Sequence, residues 1–292
     1  MIDVFNIPSN TQSTFTFYAT GNWQTWNKPR GAKMIEIFCL GGGAGGGHCI
    51  VNASGSTGAG GGGASGVITG IIPAFLLPDT LYILVGKGGL GGKVSNSSGA
   101  SGGISYVGIS GTTLNQTLIC KSANVFAQGG ISTGNAGSSS AVPIISLSAF
   151  ANLGLFTAIG GVGGGVGGPN TGVSGASQTA LNTTITSGGA GGGGKTSTIF
   201  GTGGTITSAS VILTSTVNGG VIAGQNGESG YGTLQPFCGT GGAGGAGITT
   251  GIGGQGGNGW YGCGGGGGGA GSVAGSFGGN GGDGLVIITV IS

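Results

Sequence analysis

The feature that most limits what this chain can fold into is a beat of three in its glycine. From Thr240 to Asn258, the residues Thr240, Ala243, Ala246, Thr249, Ile252, Gln255 and Asn258 share one register, and the other two registers are glycine except at Ile248 and Thr250. The beat recurs at Lys87, Leu90 and Lys93, and again at Phe277, Asn280 and Asp283. A flexible linker has no reason to keep such spacing. A left-handed polyproline-II-type helix has three residues per turn, so it would align the side chains along one edge and leave two edges bare. At ~3.1 Å per residue the stretch makes one long helix, or two or three shorter ones joined by turns near 248–250.

Of 292 residues 81 are glycine, so ordering the chain is costly. Each glycine loses ~0.5–1 kcal/mol more than alanine on becoming fixed, and it has no side chain whose burial offsets that. The backbone can. Bare helices approach closely enough to exchange N–H···O=C bonds, each worth ~0.5–1.5 kcal/mol net, with Cα–H···O contacts as a second-order addition. Collagen fits poorly, because two glycines flank one variable residue here and only seven prolines are present. Disorder fits poorly too, since 37% of the chain is hydrophobic and the formal charge is +2. The expected fold is all-β with polyglycine-II: a small β-sheet or sandwich formed by the chain ends, packed polyglycine-II helices with inserted strands, and essentially no α-helix.

Composition divides the chain into residues 1–40, an N-terminal β segment pairing with 285–292, and a glycine-rich region over 41–284. Strands are expected at Phe15–Tyr18 and Met34–Leu40, with a turn between them at Trp23–Gly31. Further β-branched runs are Val67–Ile72, Leu81–Val85, Leu114–Cys120, Val142–Leu147, Leu181–Thr186 and Val211–Thr216, and Leu285–Ile291 reads as a buried strand. Alternation nominates Phe5, Phe15, Phe17, Ile35, Ile37, Leu285, Ile287 and Ile291 for the core.

The chemistry of the chain is sparse. Gly189–Thr196 matches the phosphate-loop pattern G-x-x-x-x-G-K-[ST], but in a nearly pure glycine tract only Lys195-Thr196 carries information. No helix follows to present its N-terminus to a phosphate. Lys195 is instead expected to be solvated at the edge of its tract. His48 is the sole histidine, and the five acids Asp3, Glu36, Asp79, Glu228 and Asp283 are far apart, so acid–base pairs lack candidates. His48 and Cys49 are adjacent and point to opposite faces of an extended chain, which argues against a metal pair. The cysteines at 39, 49, 120, 238 and 263 form no C-x-x-C. They read as packed thiols, with a Cys238–Cys263 or Cys39–Cys49 bridge left open. Asn52, Asn96, Asn115 and Asn182 begin N-x-[ST] triplets, a frequent accident in a chain this rich in Ser and Thr. The N-terminus lacks the pattern of a signal peptide, and no apolar run reaches membrane-spanning length. An enzyme, a cofactor, a metal and membrane insertion are therefore not expected. Seven scattered basic residues form no patch for nucleic acid.

Aromatic residues beside glycines are more suggestive. Tyr231, Phe237, Trp260, Tyr261 and Phe277 have no local partner to bury them, and flat rings beside amides and hydroxyls suit sugar rings or a protein contact. They are the candidate ligand or partner contacts.

The run from Phe15 to Gly47, with its Thr25-Trp26 turn, Lys28-Pro29-Arg30-Gly31, aliphatic strand and glycine tract, resembles the entry of a family of glycine-rich viral structural proteins. The close, Gly279–Val290, is similar to that family's final strand. In overall design the chain also resembles the tail-fibre adhesins of T-even-like phages, in which polyglycine-II helices carry variable loops to the host surface. Long segments poor in glycine, at 104–159 and 205–223, depart from that pattern. The resemblance implies a non-enzymatic virion surface protein of tail-fibre or receptor-binding type. Its partners would be other virion proteins or copies of itself, and a host surface glycan or protein. A capsid decoration or self-assembling fibre subunit is the alternative. Ice binding requires a flat face of small residues, which Lys87, Leu90 and Gln255 interrupt.

Overall fold

The computed structural model describes residues 12–292 except 50, 52–53, 95–96, 114–117, 123–132, 139–154, 181–184, 209–211 and 235–236. Phe5, the run 142–147 and the four N-x-[ST] asparagines lie outside the described residues. In chain order the strands are β1 (Gln12–Phe17), β2 (Gln24–Asn27), β3 (Met34–Leu40), β4 (Gly55–Ser56) and β5 (Val67–Pro73). Next come β6 (Thr80–Leu84), β7 (Tyr106–Gly108), β8 (Leu118–Lys121), β9 (Phe156–Ile159) and β10 (Gln178–Ala180). The last are β11 (Lys195–Thr196), β12 (Ile206–Ser208), β13 (Gly232–Leu234), β14 (Phe237–Gly239) and β15 (Leu285–Ile291). The fold is all-β. Among the described residues there is no α-helix, and Ala74–Leu76 forms one 3-10 turn.

Five strands in the order β1-β15-β3-β5-β9 make one sheet, and β2-β6-β7-β8 make another. The C-terminal β15 lies between β1 and β3, antiparallel to both. The two sheets pack into a sandwich whose core holds Trp26, Ile35, Ile37, Ile68, Ile72, Leu81, Ile83, Val107, Ile119, Val286, Ile288 and Val290. Several expectations are corrected. Part of the expected turn, Gln24–Asn27, is a strand, because Trp26 pairs opposite Leu81 and is buried against the core. In β15 Leu285 is buried as expected, in a second cluster with Leu40, Val67 and Phe237, whereas the sandwich takes Val286, Ile288 and Val290 and leaves Ile287 and Ile291 half-buried. The strand carries apolar side chains on both faces, Leu285 and Ile287 on one and Val286, Ile288 and Val290 on the other, so alternation alone does not select a face. Phe15 stays on the rim, 37% exposed, with its ring edge-on to Trp26. The described parts of 181–186 and 211–216 are not strands.

Beyond β3 and before β15 the chain enters a lattice of extended glycine tracts. Successive residues there donate to different neighbours. In the tract 263–271, Gly264, Gly267 and Ala270 donate to Ser187, Ala190 and Gly193; Gly265 and Gly268 donate to Ala44 and Gly47; Gly266 and Gly269 donate to Gly257 and Gly254. Its carbonyls accept from Gly242, Gly245 and Ile248, from Ala59 and Gly62, and from Gly279 and Gly282. That tract is thus bonded to six others, the hexagonal coordination that three residues per turn allows. The stretch from Thr240 to Gly259 forms two such helices. Residues 240–248 and 253–259 run antiparallel, with Gly254 donating to Ala246 and Gly257 to Ala243 across the turn at 249–252.

Glycine is required here by distance. A Cβ on Gly43 would lie 2.0 Å from the Cys263 carbonyl oxygen, and one on Gly266 would lie 2.0 Å from that of Ala243. The third register tolerates a methyl where the lattice leaves room, so Ala44, Ala59, Ala190, Ala243, Ala246 and Ala270 are fully buried.

At the outer row of tracts the beat has a second role. Gly88 N–H donates to Asp283 Oδ1 at 2.7 Å, Gly91 to Asn280 Oδ1 at 2.9 Å, and Asn280 to Asn258 Oδ1 at 2.8 Å. Gln255 donates to Asn226 Oδ1 at 2.8 Å, Asn258 to Ser229 Oγ at 3.2 Å, and Asn218 to Glu228 Oε2 at 2.8 Å. Polar side chains at every third place therefore cap outward N–H groups that have no further helix to meet.

Candidate functional site

The tracts give the molecule two unlike ends. Tract 41–48 leaves the sandwich at Leu40, and 263–271, 186–194 and 240–248 run parallel to it through their mutual bonds. The described residues of the loops at 48–49, 54–57, 93–94, 169–173, 195–200, 221–224, 248–252 and 271–276 therefore gather at the end of the lattice away from the sandwich. Exposed branched side chains concentrate there: Val94, Val173, Ile199, Val221, Ile222, Ile252 and Val273, the last 75% exposed. Scattered single apolar residues on a surface need no explanation, whereas a gathered set marks a contact face. Within this end a cavity of about 530 Å³ lies between His48, Val51, Ile252, Val273 and Phe277. The His48 ring is buried 5.8 Å from that of Phe277, and its Nδ1 lies 2.7 Å from the Cys49 carbonyl. Cys49 Sγ donates to the Gly269 carbonyl, and burial pushes its thiol pKa up.

The five aromatics singled out from sequence separate into three places. Phe277 is at the far end beside His48. Phe237, Trp260 and Tyr261 form one cluster: Phe237 stacks on Trp260 with ring centroids 5.2 Å apart, and Tyr261 meets Trp260 edge-on at 5.0 Å. This cluster rests on Phe38, Leu40, Val67 and Leu285, the outer face of the five-stranded sheet, and so joins the sandwich to the lattice. Burial and the neighbouring Tyr18 and Asp283 raise the Tyr261 pKa. Tyr231 is bound into the framework, its hydroxyl donating to the Ser215 carbonyl and accepting the Ser215 N–H at 2.9 Å. The far-end aliphatic residues were missed in the sequence. Their signal is a branched residue in each break between glycine tracts, which becomes a surface only once the tracts are aligned.

Lys195 corrects another expectation, for it is fully buried rather than solvated. Its strand pairs with β4, and the chain then reverses as Thr196 Oγ1 accepts the N–H groups of Thr198 and Ile199, enclosing the lysine. An extended tract and a turn stand where a phosphate loop would need a helix. Among the described residues no three His, Cys, Asp or Glu side chains converge on a metal position. None of the five cysteines is in a disulfide, and Cys39 neighbours Cys120 across the sandwich rather than Cys49. No helix among the described residues is long and apolar enough to cross a membrane.

An all-β chain whose bulk is a glycine lattice and whose side chains cap and punctuate it falls in the class of glycine-rich structural folds. A family model described as a glycine-rich domain matches residues 18–290, and the chain belongs to that family. No curated protein matches it.

Proposed function

We propose that this protein is a non-enzymatic virion surface component of the tail-fibre, receptor-binding type. The observation that carries the reading is the division of labour along the molecule: a hydrophobic sandwich at one end, a stiff backbone-bonded lattice between, and loops with gathered apolar side chains at the other. A lattice held by main-chain bonds orients those loops without depending on their sequence, which leaves them free to fit a host protein or glycan. The capped outer row of tracts favours this over a fibre that grows by adding glycine helices, because its N–H groups are already taken.

The test is immunogold labelling of the source particle together with an adsorption-blocking assay. Purified protein should compete with particle adsorption, and a variant carrying Ile252→Ser, Val273→Ser and Phe277→Ser should lose most of that competition at unchanged thermal stability. Labelling inside the particle, or equal competition by the variant, would overturn the proposal. Mass photometry that finds polymers at micromolar concentration would favour the fibre alternative.

A further inference from the structure

At the sandwich end, the outer face of the five-stranded sheet is only partly covered by the Phe237–Trp260 cluster. What remains is an open groove of about 550 Å³, within the ~300–1,000 Å³ range of small-ligand sites. Its composition changes from row to row across the sheet. One wall is apolar, with Phe38 and Ile287 on adjacent strands and Phe237 from the β13–β14 hairpin. The next row out is polar: Thr14 stands opposite Thr289, and Thr289 opposite Glu36. The Thr289 side chain is buried and Glu36 is half-buried. Neither the Glu36 carboxylate nor the Thr14 and Thr289 hydroxyls have a hydrogen-bond or ionic partner among the described residues. In a chain with five acids, four of them elsewhere, an unpaired carboxylate on a sheet face beside aromatic rings needs a reason. An acceptor-only group wants donors.

We infer that this groove binds a saccharide, with the C–H face of one pyranose ring on the half-buried Phe38 and Ile287 and its hydroxyls donating to Glu36 and exchanging hydrogen bonds with Thr14 and Thr289. A pyranose has both surfaces the groove offers: an apolar face for Phe38 and Ile287 and a fan of hydroxyl donors for a carboxylate. An extended peptide would need the free edge of a sheet for its main chain, and this groove lies on a face. The site sits at the opposite end from the loops of the proposed host contact, so it stands or falls separately from that reading.

The experiment is saturation-transfer NMR on the full chain with maltose, lactose, cellobiose and N,N′-diacetylchitobiose as probes. At least one disaccharide should receive saturation with a dissociation constant in the millimolar range or tighter, and Glu36→Gln should weaken it about tenfold, equivalent to ~1.4 kcal/mol. Ile252→Ser at the far end should leave it unchanged. If Glu36→Gln fails to fold by thermal melting, Thr14→Val on the exposed edge strand takes its place and should also weaken binding. No saturation of any probe at about 20 mM, or binding indifferent to both substitutions, overturns the inference.

Discussion

The close approach of glycine backbones can be tested at Gly266, in the tract bonded to six neighbours. An alanine there would place its Cβ 2.0 Å from the Ala243 carbonyl oxygen and 2.9 Å from that of Gly242, against an ordinary contact of at least 3.4 Å. Relieving the overlap opens the space between 263–271 and 240–248 by about 1.4 Å, the difference between 3.4 and 2.0 Å. Three bonds span that space, Gly242 to Gly264 at 3.0 Å, Gly245 to Gly267 at 3.0 Å and Ile248 to Ala270 at 2.8 Å, and the shift takes them out of range. At ~0.5–1.5 kcal/mol each, with more where a buried group is left unpaired, the loss is about 3–5 kcal/mol. Alanine restricts the unfolded chain and returns only ~0.4–1 kcal/mol. Gly266→Ala should therefore lower the melting temperature by on the order of 5–10 °C. Gly111→Ala is the control, since the nearest atom to its Cβ is 3.5 Å away on Tyr82; it should change stability by less than about 0.5 kcal/mol. Differential scanning calorimetry on both variants decides the matter. A Gly266→Ala protein that melts within a degree of its parent would mean that the tracts do not pack at this distance, and the account of the lattice would fail.

Three further outcomes are expected. Burial pushes the Cys263 thiol up to about 12 from 9.0. A proton held more tightly in the folded state stabilises fully below the unfolded value, and that stability drains as pH climbs from 9 toward 12. The loss is of the order of 4 kcal/mol by the upper end, at 1.36 kcal/mol per unit; urea titrations at pH 8 and pH 11 should show a loss, and Cys263→Ala should remove part of it, the remainder coming from the Cys49 and Cys120 thiols, which are also raised. Asn258→Ala and Asn280→Ala should each cost roughly 0.5–1 kcal/mol, because water replaces the lost acceptor at an exposed edge, and the double variant should show concentration-dependent light scattering absent from the parent. In hydrogen exchange, the amides of Gly264–Ala270 should be among the slowest of the chain, and those of Thr249 and Thr250, at the exposed turn between two tracts, among the fastest; uniform rapid exchange would contradict a bonded lattice.

How much of this was legible in the sequence depends on the range of the interaction. Leu285–Ile291 announces itself because seven consecutive apolar or β-branched positions have few alternatives, Met34–Leu40 is apolar at every position but Glu36, and the beat of three announces helices with two bare edges. The second sheet is less visible. Its β2 and β7 are four and three residues long, and their pairing with β6 is a property of distant chain, not of local pattern. Lys195 reads as solvated because lysine usually is; its enclosure comes from the return of residues 196–200. The aromatic residues drew attention for having no local partner. Phe237, Trp260 and Tyr261 find one in the outer face of the sheet, which no window of sequence around them contains. Asn280 and Asp283 were visible as part of the beat, yet their work as acceptors required knowing which tract lies beside which.

A glycine lattice raises a problem of its own: with few side chains, a slide of one turn leaves nearly the same hydrogen bonds, so something must set the register. The sandwich does. In the β3–β15 pair, Leu40 stands opposite Leu285, residue numbers that sum to 325. Past the end of the strands the same pair continues as Gly43 to Gly282 and Gly46 to Gly279, and both again sum to 325. Leu40 opposite Val67 sums to 107, as do Ala44 to Gly63 and Gly47 to Gly60. Val67 opposite Ile159 sums to 226, as do Ala64 to Val162 and Gly61 to Gly165. Hydrophobic strand pairs, whose register is fixed because a slip of one residue turns every side chain to the other face, thus hand their alignment to the helices that extend them. Inserting one glycine between Leu40 and Gly41 should rotate each donor of the tract by a third of a turn toward the wrong neighbour. Inserting three restores the direction and costs only a slide of one turn. The three-residue insertion should therefore melt higher than the single one. Equal melting temperatures for the two, or the reverse order, would show that register is set inside the lattice and not by the strands that feed it.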